Sequence, residues 1–382
     1  MFAENIDPIL RIFAAKKMLI HALPDWPNLQ WNDSVLFPLL TEIRHKQGRL
    51  LGRMEGLGFR FRSEAKLSAL TDDVIKSNAI EGERLDAEQV RSSIARRLGI
   101  EYAGTATPSR NVEGVVEMML DATQQFSEPL TKERLFGWHA ALFPTGHSGL
   151  HSITVGAWRK PESDPMQVVS GPIGREKVHF EAPSATKVDA EMDTFLDDFE
   201  NRPLDPVLKS GIAHLWFVTI HPFADGNGRI GRAIADLALA RSDGTTERFY
   251  SMSAQIETER KEYYHQLEIT QHAGLDVTPW LKWYLECLRR ALDRAESGLK
   301  AALEKARAWE RIAPKLVNDR QRKVINRLFE GFDGKLTSSK YAKLAKCSPD
   351  TALRDIKELI ERGVLRQDAA GGRSTSYSLA DA

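Results

Sequence analysis

His221-Pro222-Phe223-Ala224-Asp225-Gly226-Asn227-Gly228-Arg229-Ile230-Gly231-Arg232 joins two segments of helical period. Before it, Asp205 to Ile220 carries Ile212, Leu215 and Thr219 on one face; after it, Arg229 to Leu239 carries Ile230, Ala233, Ile234 and Leu237. Each residue between has a physical task. Gly226 and Gly228 let backbone N–H groups turn inward with no Cβ in the way. Asn227 tolerates left-handed geometry before the second helix, whose free amides and positive dipole end make an anion site. Arg229 and Arg232 are three apart in the first turn, where a cation opposes the dipole. A strongly anionic ligand or a carboxylate makes that placement sensible, and polyphosphate fits. Asp225 beside a polyphosphate is a natural Mg²⁺ ligand, since Mg²⁺ takes one or two carboxylates plus phosphate oxygens. His221, with an ordinary pKa of about 6.5, suits a general base. Phe223 is expected to anchor the loop in the core. Gly226 to Gly231 also has the spacing of a dinucleotide fingerprint, but that motif needs a βαβ unit, and no alternating strands lie nearby.

Upstream, Ser63 to Glu81 reads as a helix with Leu67, Leu70, Val74 and Ile75 along one stripe. It ends in Ser77-Asn78-Ala79-Ile80-Glu81-Gly82. Gly82 terminates the helix and leaves Glu81 at the end where the dipole disfavours an acid. Glu81 therefore needs a cation from elsewhere, and Arg232, badly placed for its own helix, is complementary. A charge-assisted pair of that kind is worth ~1.5–3 kcal/mol. Met166 to Phe180 is the exception among helices. Val168 and Val169, a Gly171-Pro172-Ile173-Gly174 turn, then Val178 and Phe180 read as a β-hairpin. A lone hairpin is marginal, so it must lie on something; a flap over a site and a decorative loop are both open. Trp280 to Ala302 is a long amphipathic helix leading out of the main domain.

The last seventy residues change character. Asp319 to Phe329, with Val324, Ile325 and Leu328 inward, and Thr337 to Lys346 are the first two helices. The third opens at Ser348-Pro349, with proline at its favoured first position. It turns Leu353, Ile356, Leu359 and Ile360 inward and stops at Gly363. Val364-Leu365-Arg366 and Ser376-Tyr377-Ser378-Leu379 flank a Gly371-Gly372 turn. Three helices and a hairpin make the winged helix-turn-helix pattern. On the third helix Arg354 and Lys357 are offset by Asp355, Glu358 and Glu361, which repel phosphate. Protein docking therefore stays open beside DNA binding.

Composition sets the frame. The 382 residues are 42% hydrophobic and 28% charged, values of a soluble globular chain of two or three domains. Fifty-three basic and fifty-three acidic side chains cancel. Residues 313–382 nevertheless hold 14 basic against 9 acidic, a net of +5, which suggests separate partners for the two parts. Two cysteines, Cys287 and Cys347, sixty apart, suit a reducing compartment. His147 and His151 lack a third ligand for zinc, and His139 and His214 are expected in structural roles. Ile9 to Leu23 is broken by Arg11, Lys16 and Lys17, unlike a signal peptide. Leu215 to Ile220 falls far short of a membrane span of ~20 residues. A cytoplasmic protein without a membrane partner is expected.

His221 to Arg232 matches the signature HxFx(D/E)GNGRxxR of the Fic family at every position. Ser77 to Gly82 matches that family's inhibitory signature (S/T)xxxE(G/N). The resemblance covers roughly residues 75–290, and many bacterial members add a helical N-terminal region and a C-terminal winged helix. It implies a mainly α fold: a helical Fic core with a small β-hairpin flap, plus a C-terminal winged helix-turn-helix domain. The domains would be residues 1–74, an N-terminal helical region; 75–295, the Fic domain with an inhibitory helix at 63–82; 296–316, a linker helix; and 317–382, the winged helix. It implies an autoinhibited protein adenylyltransferase that moves AMP from ATP to a hydroxyl side chain (Ser, Thr or Tyr) of a target protein and of itself. His221 would be the base and Asp225 the Mg²⁺ ligand. Gly226, Asn227 and Gly228 would cradle the α- and β-phosphates, and Arg229 and Arg232 the outer ones. Ser77 and Glu81 would be inhibitory, and Tyr263 and Tyr264 would line the adenosine pocket. The hairpin, through Val178, His179 and Phe180, would pair with the target's backbone by strand addition. Two other functions stay open: removal of AMP with Glu81 orienting water, and a DNA-binding regulator whose Fic domain is a sensor. Implied partners are the target protein and DNA or a protein on the winged helix, with a homodimer also open.

Overall fold

The computed structural model describes residues 18–104, 106–163, 165–171, 175–312, 317–330, 334–368 and 375–380. The start of the Ile9–Leu23 stretch, the Pro172-Ile173-Gly174 and Gly371-Gly372 turns, and residues 313–316 of the expected linker lie outside them. The chain divides into two units, residues 1–295 and 296–382.

In the first unit, caps set the helix starts. The side chain of Asn32 caps α1 (Asp33–Glu55), and Gly58 precedes α2 (Phe59–Ile80). Asp86 caps α3 (Ala87–Leu98), Ser109 caps α4 (Arg110–Gln124) and Thr131 caps α5 (Lys132–Leu142), each accepting from a first-turn amide. Two antiparallel hairpins follow: β1 (His147–Ser148) with β2 (His151–Ser152), and β3 (Gln167–Ser170) with β4 (Lys177–Glu181). Then come α6 (Ala185–Asn201), α7 (Pro206–Ile220), α8 (Asn227–Asp243), α9 (Met252–Thr258), α10 (Arg260–Gln271) and α11 (Thr278–Ile312), whose residues from 296 on belong to the second unit.

The α7–α8 pair is the centre. The single apolar face expected of α7 understates it: all but Pro206 and Lys209 are buried, Ser210, His214 and Thr219 included, as for a helix surrounded by others. α4 packs on α8, α6 on α7, and α2 against α9. α2 begins at Phe59, so the helix ending at the Ser77 motif crosses the expected boundary at 74/75. α11 is one continuous helix from residue 278 through residue 312. The β3–β4 hairpin is seated at both ends. His21 Nε2 meets the Glu181 carbonyl at 2.8 Å and its ring stands edge-on to Phe180, while Lys177 and His179 both reach Glu268 of α10. No described helix is long and apolar enough to cross a membrane.

In the second unit, α12 (Asp319–Glu330), α13 (Ser338–Ala345) and α14 (Pro349–Glu361) precede the antiparallel pair β5 (Leu365–Gln367) and β6 (Tyr377–Leu379). Val324, Ile325, Leu336, Tyr341, Ala352, Ile356 and Leu359 form its core. Two expectations for α14 are corrected. Leu353 is 42% exposed, and Ala352 takes the inward position. Asp355 is not on the outer face. It is buried and receives Arg320 Nε and Nη2, both at 3.1 Å, and the Tyr341 hydroxyl at 3.3 Å. The apolar period runs 352, 356, 359, and Asp355 shares that side because its charge is matched there.

Candidate active site

α7 ends on His221 in the left-handed conformation (φ 53°, ψ 58°), sparsely populated for a residue with a Cβ. Its Nδ1 lies 3.1 Å from the Val218 carbonyl. Because a carbonyl only accepts, Nδ1 carries the proton and Nε2 keeps the lone pair. Burial pushes the imidazole pKa down, and Arg159 adds to this against the Val218 carbonyl, Glu81 and Asp225. The imidazole is therefore neutral near pH 7. Phe223 anchors the turn as expected, stacked on the buried His139 with ring centroids 4.2 Å apart. Asn227 stitches the loop, accepting from Phe223 N and donating to Phe223 O, both at 2.9 Å. Its side chain is thus committed to the loop.

α8 starts on Gly226 (φ 81°), which supplies no capping side chain, so the first-turn amides are left to whatever lies over them. Glu81 lies beside that turn. A Cβ on Gly228 would fall 2.2 Å from Glu81 Oε1, so only glycine lets the carboxylate approach. Glu81 caps the C-terminus of α2 before Gly82 (φ 85°), and its Oε1 lies 2.8 Å from Arg232 Nη1. Arg232, 2% exposed, also donates Nε to Ser77 Oγ (2.9 Å) and Nη2 to the Ser77 carbonyl (2.8 Å). Burial alone would lower the guanidinium pKa; Glu81, Tyr263 and Tyr264 together outweigh it and the pKa is raised. Arg229 has its own acid: Nη1 donates to Glu83 Oε2 at 2.8 Å, and the guanidinium sits 5.1 Å above the Phe143 ring.

Asp225 is held at both oxygens. Gly226 N–H donates to Oδ1 at 2.5 Å and the Ser148 hydroxyl to Oδ2. No group of three or more His, Cys, Asp or Glu suited to a metal occurs among the described residues. A single half-buried carboxylate fits an Mg²⁺ that arrives with phosphate oxygens, not a resident ion.

The structure separates residues that the sequence grouped. Tyr264 is half-buried, its hydroxyl 3.2 Å from the Ile80 carbonyl and 3.4 Å from Glu81 Oε2. Tyr263 is instead buried against Trp280 and Trp283, with its hydroxyl 2.9 Å from His214 Nε2. Arg232 and Glu81 are the charged groups that act on its hydroxyl. In the flap, Val168 pairs with Phe180 and Val169 with Val178, with a register break between. The bulge at His179 sends Phe180 and Val178 to opposite faces. The Phe180 side chain is buried, while Val178 and Val169 are each about half exposed. His179 is braced by Glu268 Oε2 (2.8 Å) and Ser170 Oγ (2.6 Å).

Residues 129–239 match the model of the Fic/DOC family, ending within α8 past both arginines. They form a Fic/DOC domain. Residues 19–100, which include the Ser77–Gly82 motif, match a domain of unknown function (DUF4172). A 113-residue stretch is 30% identical to the protein adenylyltransferase fic-1 of Caenorhabditis briggsae, covering 30% of this chain and 21% of that protein. Over 99 residues the chain is 30% identical to the protein adenylyltransferase Fic of Drosophila mojavensis, covering 26% and 18%. The matched part thus spans about a fifth of these relatives. A crystal structure of a Fic family protein from Desulfovibrio desulfuricans G20 has the same fold, with a TM-score of 0.51 and 24% identity over 90% of this chain and 95% of that one.

Around this Fic domain, four contacts escaped the sequence reading: Glu83 on Arg229, Asn78 beside it, Ser148 on Asp225, and Arg159 on the His221 turn. Glu83 was within reach, because two first-turn arginines ask for two acids and Glu83 stands just past Gly82. Ser148 lies in a two-residue strand and Arg159 in an irregular segment, where spacing carries no signal.

Proposed function

We propose that the chain is a protein adenylyltransferase held in an inhibited state. What carries this reading is the first turn of α8. It has uncapped amides, two buried arginines each paired with an acid from the end of α2, and His221 beside it with Nε2 unprotonated. His221 Nε2 takes the proton of the target hydroxyl, and the hydroxyl oxygen bonds to the α-phosphorus of ATP. The bond from that phosphorus to the bridging oxygen breaks, pyrophosphate leaves, and AMP stays on the side chain. Mg²⁺, when bound at Asp225, neutralises phosphate charge. The amides of Gly226 to Gly228 hold the phosphates through the helix N-terminus. Arg229 and Arg232 serve the outer phosphates once Glu83 and Glu81 withdraw. The decisive experiment gives labelled ATP to wild type and to Glu81→Gly: label on protein supports transfer, and none with either protein refutes it.

One observation favours a second activity. Glu81 is 31% exposed and its Oε2 faces the Tyr264 hydroxyl, a place from which a carboxylate orients water. Release of AMP from a modified protein by wild type, lost in Glu81→Gly, would assign it. For the second unit we propose contact with a phosphate backbone. Asp355 is withdrawn into the core and Glu358 accepts from Gln321, leaving Arg354 and Lys357 exposed on α14 beside Glu361. Binding of duplex DNA that weakens with salt, and is lost in the Arg354→Glu, Lys357→Glu double variant, is expected. ATP as substrate and two unpaired cysteines support a cytoplasmic location.

A further inference from the structure

Between α5 and β3 one residue ties together three otherwise separate stretches of chain. Arg159 is buried. Its backbone N–H donates to the Pro222 carbonyl at 2.8 Å, its Nε to the His221 carbonyl at 2.8 Å, and its Nη2 to the carbonyl of Pro183, just past β4. The carbonyls of His221 and Pro222 fall after α7 has ended and before α8 has begun, where no helix supplies a donor. Buried carbonyls without donors are costly. A left-handed conformation on a residue with a Cβ persists only where its surroundings over-determine it.

We propose that Arg159 is the positioning residue of the catalytic turn, holding His221 in its left-handed conformation by satisfying two consecutive carbonyls with its own backbone N–H and its Nε. The planar guanidinium suits this because Nε and Nη2 point along fixed, different directions, to His221 and to Pro183; an ammonium cannot reproduce that fork. The root of the flap and the catalytic turn then share one anchor. The positive charge has a second consequence. The charged groups facing the imidazole are Arg159, Glu81 and Asp225, with the Val218 carbonyl on Nδ1. Burial and Arg159 favour the neutral ring, and the carbonyl and both carboxylates oppose them. The inference rests on His221 acting as the base of adenylyl transfer.

The test uses Arg159→Met, which removes the charge and the Nε donor, and Arg159→Lys, which keeps the charge and loses the fork. Both are made in the full chain carrying Glu81→Gly for kinetics, and in otherwise wild-type chain for NMR titration of labelled histidine. The His221 signal is assigned by its absence in His221→Ala. Arg159→Met is expected to lower kcat roughly ten- to hundred-fold while ATP affinity stays within a few-fold of the parent. The acidic limb of its rate profile and the His221 titration should both move to higher pH. Arg159→Lys should lose kcat with little change in titration. A loss of ATP affinity in step with kcat, or a kcat equal to the parent's in both variants, overturns the assignment. Should Arg159→Met fail to fold, the kcat of Arg159→Lys against its unchanged titration decides. Should the Glu81→Gly parent incorporate no label, adenylyl transfer itself is refuted. The His221 titration then still tells whether Arg159 governs that ring: an unmoved titration in Arg159→Met overturns the positioning role.

Discussion

Arg232 is a cation in the first turn of a helix, repelled by the dipole, and buried. Such a residue persists where an anion lies on it, and Glu81 supplies the charge in the absence of a nucleotide. Removing the acid should therefore help function. Glu81→Gly is expected to raise incorporation of labelled AMP, self-modification included. If inhibition is only that contact, ~1.5–3 kcal/mol of lost competition corresponds to roughly ten- to hundred-fold. Arg232→Ala should not mimic it, since the γ-phosphate's partner goes too. Equal or lower incorporation by Glu81→Gly, with ATP binding intact, sinks the autoinhibition. His221→Ala probes the neighbouring residue in the opposite sense. Its Nε2 serves the proton and little of the nucleotide's affinity, so transfer should vanish while ATP binding stays nearly intact. A drop of several orders in binding would instead make His221 a nucleotide ligand.

At the scale of elements, the end of α2 delivers Ser77, Asn78, Glu81 and Glu83 to one turn of α8. Glu81→Gly frees Arg232 but leaves Arg229 on Glu83. The Glu83 side chain is 50% exposed, so solvent screens the pair and it is worth at most ~1 kcal/mol. Adding Glu83→Gln to Glu81→Gly should raise labelled-AMP incorporation by up to about five-fold. No change would mean that Glu83 yields to ATP without cost. The Glu81–Arg232 pair was legible in the sequence because both partners are misplaced in their own helices, an imbalance visible without a structure. The helical core and the flap hairpin were legible from period alone. The two-acid clamp was not assembled, although its residues were in view. Other failures have physical causes. The bulge at His179 breaks the alternation that placed Phe180 with Val178. Tyr263 and Tyr264, adjacent on a helix, point to different neighbours. Charge is the usual mark of a surface, and at Asp355 the contacts of Arg320 and Tyr341 cancel that mark.

Across the first unit as a whole, α2 is tied to α8 at a second level, one helical turn beyond Arg232. Arg248, buried, lies 2.6 Å from Asp236 of α8 and 3.8 Å from Asp73 of α2. Asp73 Oδ1 also accepts the Ser251 hydroxyl at 2.5 Å and Ser253 N–H at 3.3 Å. One guanidinium cannot neutralise two buried carboxylates, and a proton makes up the difference. Burial, with Asp236 nearby, pushes Asp73 up to about 7 against the pull of Arg248. Asp236 is raised for the same first reason. The sign follows from linkage. A carboxyl whose folded pKa exceeds its unfolded value of ~3.9 contributes its full stability below that value and loses it as pH rises through the folded one. The melting temperature should therefore carry a falling component between pH 4 and 7. Asp73→Asn, which keeps an oxygen acceptor for Ser251 and Ser253, should remove that component. Relative to its value at pH 4, its melting temperature should gain on wild type by several degrees at pH 7, on the order expected for ~1–2 kcal/mol in a domain of this size. Groups away from Arg248 are common to both proteins and cancel in the comparison, while Asp236 is left with that guanidinium to itself. Parallel melting curves across that window would show that Asp73 is ionised throughout, and that Arg248 alone balances both acids.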